Sequence, residues 1–391
     1  MARSRTLELV SKYESNRNST LNLIPSENVL SFDVLKALGS GMAGRYAGKP
    51  ESYAGSKIFH ELWNVTEELS RKVFHCRFAN VLPVTGHVAG MMSISALCKR
   101  GDDLATISAD FGGYRGYNDG YIPSVMGLKV SYLPYNARFC NIDLNGALEL
   151  IDKDKPSIVI LGATVFLFPH PVSKIAGAVH SYGGKLIYDG SHVLGLIAGG
   201  CFQDPLSEGA DVLLGSTHKT LFGPQGGLIL TNDEDIAMEI EERALYTFVD
   251  NFHLNRVAAL GVALEETKIH AASYARRVIQ NSKALATGLY DKGIRVEGQE
   301  NGFTESHQVF LNYGTKGEQI RDALETNGII SDSKVRLGTN EVTRRGMGTR
   351  EMNGISDLVV QTLSGSKSPR IRKDVRTLVS RYKKIQYTLE S

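Results

Sequence analysis

The chain has 391 residues, 42% of them hydrophobic and 22% charged, a composition that excludes disorder, low complexity and collagen-like repeats. Lys and Arg number 44 against 42 for Asp and Glu, so a net charge of +2 gives no electrostatic reason to expect a nucleic acid or a membrane surface as partner. The length suggests two or so domains, each able to bury a core.

The opening stretch MARSRTLELVSKYESNR has no apolar core ahead of a small-residue cleavage site, so no secretory signal is expected and a cytoplasmic location is. The longest apolar runs, such as that in SIVILGATVFLF, fall short of the about 20 residues needed to span a bilayer. Cys76, Cys98, Cys140 and Cys201 lie far apart without CxxC spacing, which predicts free thiols.

Residues 1–40 carry two short helical patterns around the extended LNLIPSEN and read as an arm. FHELWNVTEELSRKVF places Phe59, Leu62, Trp63, Leu69 and Val73 at helical spacing, with Trp63 expected in the core. From there to about residue 232, strand-like runs alternate with helical patterns: FANVLPV, GHVAGMMSISALC, DDLATIS, SIVILGAT, VSKIAGAVHSYG, KLIYD, DVLLGS and GGLILTN. Strands so uniformly apolar predict an α/β fold, a mostly parallel sheet covered on both faces by helices. DEDIAMEIEERALYTF, HLNRVAALGVALEETK and AASYARRVIQNSKALATGLYDKG predict helices, the middle or last being suited to a long helix joining two domains. The remainder reads as a smaller α+β domain. The expected division is an arm at 1–40, a large domain at 41–265 and a small domain at 266–391. The basic KSPRIRKDVRTLVSRYKKI has apolar residues at helical spacing and predicts an amphipathic surface helix, not a nucleic-acid site. No HExxH or paired metal spacing occurs, so no metal site is expected.

Three segments carry chemistry. In DVLLGSTHKTLFGPQGGLIL, a strand runs into Ser216-Thr217-His218-Lys219 and a glycine-rich turn. Ligand sites of doubly wound sheets sit at the carboxyl ends of strands, where a lysine is a candidate amine nucleophile for a carbonyl. In KLIYDGSHVLGLIAGG, Asp189 ends a strand and His192 follows three residues later. A carboxylate there can hold the proton of a pyridinium nitrogen, and His192 can pack beside the ring or the substrate. In VLPVTGHVAGMMSISAL, the turn Thr85-Gly86-His87 opens a helix whose N–H groups can bind phosphate. Taken alone, each has an ordinary reading: a surface lysine in a turn, an Asp-Gly-Ser cap, an N-cap on a core helix. Neither GxGxxG nor GxxxxGK[ST] is present, so dinucleotide and Walker-type nucleotide sites lack support. Together the three describe a pyridoxal-phosphate site.

LNLIPSENVLS, GRYAG…SYAGS, ANVLPVTGHVA, DGSHVLGLIAGG, STHKTLFGPQGG and VRLGTNEVTRRG resemble the successive motifs of the serine hydroxymethyltransferase family, over about residues 20 to 350. The resemblance implies a fold-type I pyridoxal-phosphate enzyme, a homodimer with shared active sites, acting on an amino acid. It implies a Schiff base of pyridoxal 5'-phosphate on Lys219 and an Asp189 partner for the ring nitrogen. Thr85, Gly86 and His87 would hold the phosphate, with Ser216 or His218 nearby. Tyr114 stands where the family has a histidine stacked on the ring, and Thr164 where a serine contacts the ring oxygen. Arg336 would clamp the substrate carboxylate, with Ser26, Tyr46 and Tyr53 completing the pocket and Tyr46 coming from the partner subunit. Lys219, His192 and Tyr46 are the candidate catalytic residues; His192, Tyr46, Glu51 or a water could take the substrate hydroxyl proton.

The sequence departs from the family in places that bear on the reaction. The family's glutamate in YAEG is missing from Tyr46-Ala47-Gly48, with Glu51 the nearby carboxylate. The second tyrosine of a pair is Ala54, and Gln225 stands where an arginine is common. The long pterin-contacting loop is nearly absent from ETNGIISDSKVRLGT, and FVDNFHLNR, with Asn251 and His253, replaces a glycine-rich loop. Use of a tetrahydropterin is therefore left open. The expected reaction makes or breaks the Cα–Cβ bond of a β-hydroxy-α-amino acid, serine or threonine to glycine. The alternative is a pterin-independent aldolase, transaldolase or decarboxylating or lyase relative. A non-enzymatic binding protein on the same fold is a third reading, against which the retained Lys219 counts.

Overall fold

The structure, a computed structural model, describes residues 4–48, 53–365 and 369–390. Its contacts divide the chain into two units: Leu30–Arg276 with Tyr387–Glu390, and the described residues up to Val29 with Arg277–Gln386.

The larger unit is built on β1 (Phe78–Asn80), β2 (Asp103–Thr106), β3 (Lys129–Tyr132), β4 (Ile158–Leu161), β5 (Lys185–Asp189), β6 (Val212–Ser216) and β7 (Gly227–Thr231). These form one seven-stranded sheet in the order β1-β7-β6-β5-β4-β2-β3. Neighbours from β3 through β6 pair in parallel, while β7 runs antiparallel to both β6 and β1. Every residue of β4, β6 and β7 is buried, as expected of strands covered on both faces. The helix Gly86–Leu97, apolar nearly all round, packs against β6, β7 and the helix Glu234–Ala244. Trp63 lies in the core at 1% exposure, edge-on to Phe252 at 4.4 Å between centroids. The mainly parallel α/β sheet predicted from the strand composition is the observed architecture.

The other unit holds a short antiparallel pair, β8 (Gln308–Phe310) and β9 (Arg336–Gly338), with Phe310 opposite Arg336. Leu21–Asn22 pairs in parallel with Ile329–Ile330 and sets the N-terminal stretch against this unit's core. The basic helix Pro369–Ser380 turns Ile371, Val375 and Val379 into that core and leaves Arg370, Arg372 and Arg376 exposed.

The two helical patterns expected after residue 253 form one 37-residue helix, Leu254–Tyr290, and the division between units falls inside it at 276/277. Nothing between the patterns interrupts a helix, because Ile269-His270-Ala271-Ala272 holds neither glycine nor proline. The N-terminal 40 residues are shared out: Leu21 and Leu23 join the smaller unit's core, whereas Val34 packs on Ala259 and Ala263 of the larger unit.

Candidate active site

The carboxyl ends of β4, β5 and β6 lie side by side, as the pairing of Ile160 with Ile187 and of Asp189 with Leu214 requires. Residues just beyond them meet the start of the helix Gly86–Leu97. Gly86, His87, Tyr114, Ala163, Thr164, Asp189, Ser191, His192, Ser216 and Lys219 line one cavity. A roomier groove of about 310 Å³, between the helices Lys57–Phe74 and Glu234–Ala244, is lined by neither lysine nor histidine.

The helix start has the groups that an anion site uses. Thr85 is the N-cap, its Oγ1 accepting from the Val88 N–H at 3.1 Å, while the Gly86 and His87 amides belong to the first turn, where a helix offers N–H groups to a ligand. A Cβ at position 86 would stand 2.2 Å from Ser216 Oγ and 3.0 Å from the Ser216 amide nitrogen, so only glycine lets the helix start approach the end of β6 this closely. The Ser216 N–H donates to Ser191 Oγ at 2.9 Å, which ties the β6 end to the β5 turn. Behind this turn Arg256 is buried, donating from Nη2 to the carbonyls of Val81 and Leu82 at 2.6 and 3.2 Å, with Nε and Nη1 lacking hydrogen-bond partners. Burial pushes its guanidinium down to about 10.

Asp189 is 8% exposed and held at both oxygens: Tyr117 donates to Oδ2 at 2.8 Å and the Ser191 N–H to Oδ1 at 2.9 Å. Tyr114 shares a hydrogen bond of 2.9 Å between its hydroxyl and His87 Nδ1. Burial first, then the charge of Asp189, raises the pKa of Tyr114 above the usual phenol value. His218 is driven down to about 4 by burial and by the adjacent Lys219, and its Nδ1 is buried without a hydrogen-bond partner. At neutral pH His218 is therefore uncharged beside Lys219. A buried carboxylate, a helix start cradled by glycine and a lysine on one cavity fit pyridoxal 5'-phosphate at its ring nitrogen, phosphate and aldehyde respectively.

Of the residues singled out from sequence, Gly86, His87, Tyr114, Thr164, Asp189, His192, Ser216 and Lys219 converge on this cavity. Thr85 caps the helix, and His218 is not among the residues that line the cavity. Tyr46 and Tyr53 sit together elsewhere in the same unit, ring centroids 5.2 Å apart and 41% and 49% exposed. The Tyr46 hydroxyl donates to Asp250, and the Ala47 N–H donates to Asn251 Oδ1 at 3.3 Å. Asn251 thus braces the Tyr46 segment. Glu51 lies outside the described residues. Ser26 and Arg336 belong to the other unit, where Arg336 is 7% exposed and donates from Nε to Asp332 Oδ2 at 2.8 Å. The Ser26 segment runs beside β9, since the Gly338 N–H donates to the Leu23 carbonyl at 2.7 Å. Tyr117, Ser191, Arg256, Asp250 and Asp332 were not singled out from sequence. Ser191 had a signal, the Asp-Gly-Ser turn after β5; the others act on partners that local patterns do not reveal.

The sequence profile of serine hydroxymethyltransferase matches residues 4–359. The serine hydroxymethyltransferase of Methanopyrus kandleri is 40% identical, over 97% of this chain and 93% of the relative. That of Methanothermobacter marburgensis is 38% identical, over 99% and 95% respectively. Among solved structures, L-threonine transaldolase from Pseudomonas fluorescens in its internal aldimine state superposes with a TM-score of 0.92 at 25% identity, covering 98% of this chain and 92% of that one.

Proposed function

Because the chain belongs to the serine hydroxymethyltransferase family of pyridoxal-phosphate enzymes, we propose that it makes and breaks the Cα–Cβ bond of a β-hydroxy-α-amino acid of the serine or threonine type. The observation that carries this reading is the meeting of Lys219, Asp189 and the Gly86 helix start on one cavity.

Pyridoxal 5'-phosphate, when bound, supplies an electron-poor ring able to store the electron pair released as the bond breaks. The protein's part is to hold and orient. Lys219, on the cavity, would hold the cofactor's aldehyde through its amine. Asp189 keeps a proton on the ring nitrogen, and the Gly86 and His87 amides take the phosphate. Tyr114 presents an aromatic face where the family has an imidazole, and its raised pKa keeps it a neutral phenol. Thr164, on the same cavity, would offer its hydroxyl to the ring oxygen. Arg336 takes the substrate carboxylate with its planar fork, which fixes which bond to Cα is broken. Ser26 assists it.

The substrate hydroxyl proton goes to His192 or to a water beside it. Tyr46 is a poor acceptor, since its hydrogen bond to Asp250 pushes its phenol up to about 12. We assign Tyr46 and Tyr53 to the neighbouring site of a homodimer, in keeping with their exposed position. No helix among the described residues is long and apolar enough to cross a membrane, and a cytoplasmic setting is part of the same proposal.

A second reading, a pterin-independent aldolase or transaldolase, draws support from the short connection between Ile329–Ile330 and β9. Residues 331–335 span it, and its Asp332 turns back onto Arg336. Glycine release from serine and from threonine, each with and without a tetrahydropterin, separates the two. Pterin-dependent turnover of serine supports hydroxymethyl transfer; pterin-independent cleavage of threonine with none of serine supports the second reading. No glycine from either would contradict both.

A further inference from the structure

Tyr117 is 1% exposed, and its hydroxyl donates to Asp189 Oδ2 at 2.8 Å. Its ring packs edge-on to Tyr114, with centroids 5.1 Å apart. The hydroxyl has reached Asp189 through a gap left by the helix Gly86–Leu97: a Cβ at Gly90 would stand 2.5 Å from Tyr117 Oη. The sequence thus provides room for this one contact at a helical position where a glycine costs stability. Burial, followed by the charge of Asp189, holds the phenol pKa well above its ordinary value, which keeps Tyr117 a neutral donor at physiological pH.

We propose that Tyr117 is a positioning residue that, through its hydrogen bond to Asp189, keeps the proton on the cofactor's ring nitrogen. The inference rests on the assignment of Asp189 to that nitrogen. A carboxylate that accepts two hydrogen bonds is a weaker base than one that accepts a single bond. Tyr117 on Oδ2 and the Ser191 amide on Oδ1 hold both oxygens of Asp189, so the proton shared with the cofactor rests on the ring side of the pair. Without the phenol, Asp189 keeps only the bond from Ser191, the shared proton moves towards the carboxylate, and a ring left neutral stores charge less well.

The test uses holoenzyme reconstituted with pyridoxal phosphate labelled with nitrogen-15 in the ring, whose chemical shift separates the protonated from the neutral nitrogen. In the wild type the signal lies on the protonated side. In Tyr117→Phe, which keeps the ring packing, it moves a resolvable part of the way towards neutral; in Asp189→Asn it moves fully. Gly90→Ala displaces the phenol without altering either partner, and it shifts the signal in the same direction as Tyr117→Phe. A Tyr117→Phe signal unchanged from wild type, with Asp189→Asn shifted, overturns the role of Tyr117 and leaves Asp189 in place. If Asp189→Asn also leaves the signal unmoved, the assignment of Asp189 itself is wrong.

Discussion

Tyr46 donates its hydroxyl proton to Asp250, which lies 204 residues further along the chain. The two loops are also joined by the Ala47 N–H to Asn251 Oδ1 and by Asn251 Nδ2 to the Arg45 carbonyl at 3.5 Å. The bond to Asp250 is the first cause of the rise of Tyr46 to about 12, ahead of burial and of the Asp250 charge. An ionised carboxylate that accepts the phenol proton stabilises the neutral phenol, so the titration moves up. Asp250→Asn should bring Tyr46 back towards an ordinary phenol, as followed by NMR of ring-labelled tyrosine. A Tyr46 titration unchanged in Asp250→Asn would show that the pair does not set its protonation.

A second expectation concerns acid. His170 is 5% exposed, stacked on Phe166 at 4.4 Å, with Nδ1 2.8 Å from Asn141 Oδ1 and Nε2 lacking a partner. Burial drives it down to about 3. Its folded pKa is depressed below the unfolded value of about 6.5, so the unfolded chain binds the proton more readily. Stability is complete above about pH 6.5 and falls as the pH drops, by about 1.4 kcal/mol per pH unit for one such group, until its folded pKa is reached. His170→Gln removes this titration. Denaturant melts at pH 7 and pH 5 should therefore differ less in the variant than in the wild type, and an equal difference would contradict the assignment.

Gly86→Ala places a methyl where Ser216 Oγ and the Ser216 amide stand. The hydroxyl can rotate away, but the amide cannot, so the helix start must retreat from β6. Such overpacking costs about 1–3 kcal/mol, and here it falls on the turn proposed to hold the phosphate. Cofactor affinity, measured by titrating apoprotein with pyridoxal phosphate, should weaken by roughly 10- to 100-fold on that scale. Affinity for pyridoxal, which lacks the phosphate, should change much less; equal losses for both would place the phosphate elsewhere.

Asp332 holds Arg336 through both Nε and Nη2, an anchor that orients the guanidinium proposed to take the substrate carboxylate. Arg336→Lys keeps the charge but loses the fork. A charge-assisted hydrogen bond contributes about 1.5–3 kcal/mol, so the amino-acid KM should rise by roughly 10- to 100-fold with the cofactor still bound. An unchanged KM would remove Arg336 from the substrate site.

How far these features could be read from sequence depends on their range. The strands β4 to β7 declare themselves because burial on both faces leaves polar residues only at their ends, with no alternation between. The edge strand β3 does not, since Lys129 and Tyr132 are exposed and KVSY lacks a uniform apolar run. Lys219, Asp189 and Gly86 were legible because each ends or closely follows a strand, or opens a helix, in a distinctive local motif. Tyr117 was not: it acts on Asp189 from 72 residues away, and only the folded sheet brings them together. The pairing of Leu21 with Ile329 likewise joins segments far apart in the chain, which no local pattern of the expected arm foretells.

The account as a whole depends on the amine of Lys219, half-buried on the cavity beside Asp189 and the Gly86 turn. Protein incubated with pyridoxal phosphate, reduced with borohydride and digested should carry the pyridoxyl group on the peptide that contains Lys219, and Lys219→Ala should carry none. An unlabelled Lys219 peptide in the wild type, or a label only on another lysine, would contradict it.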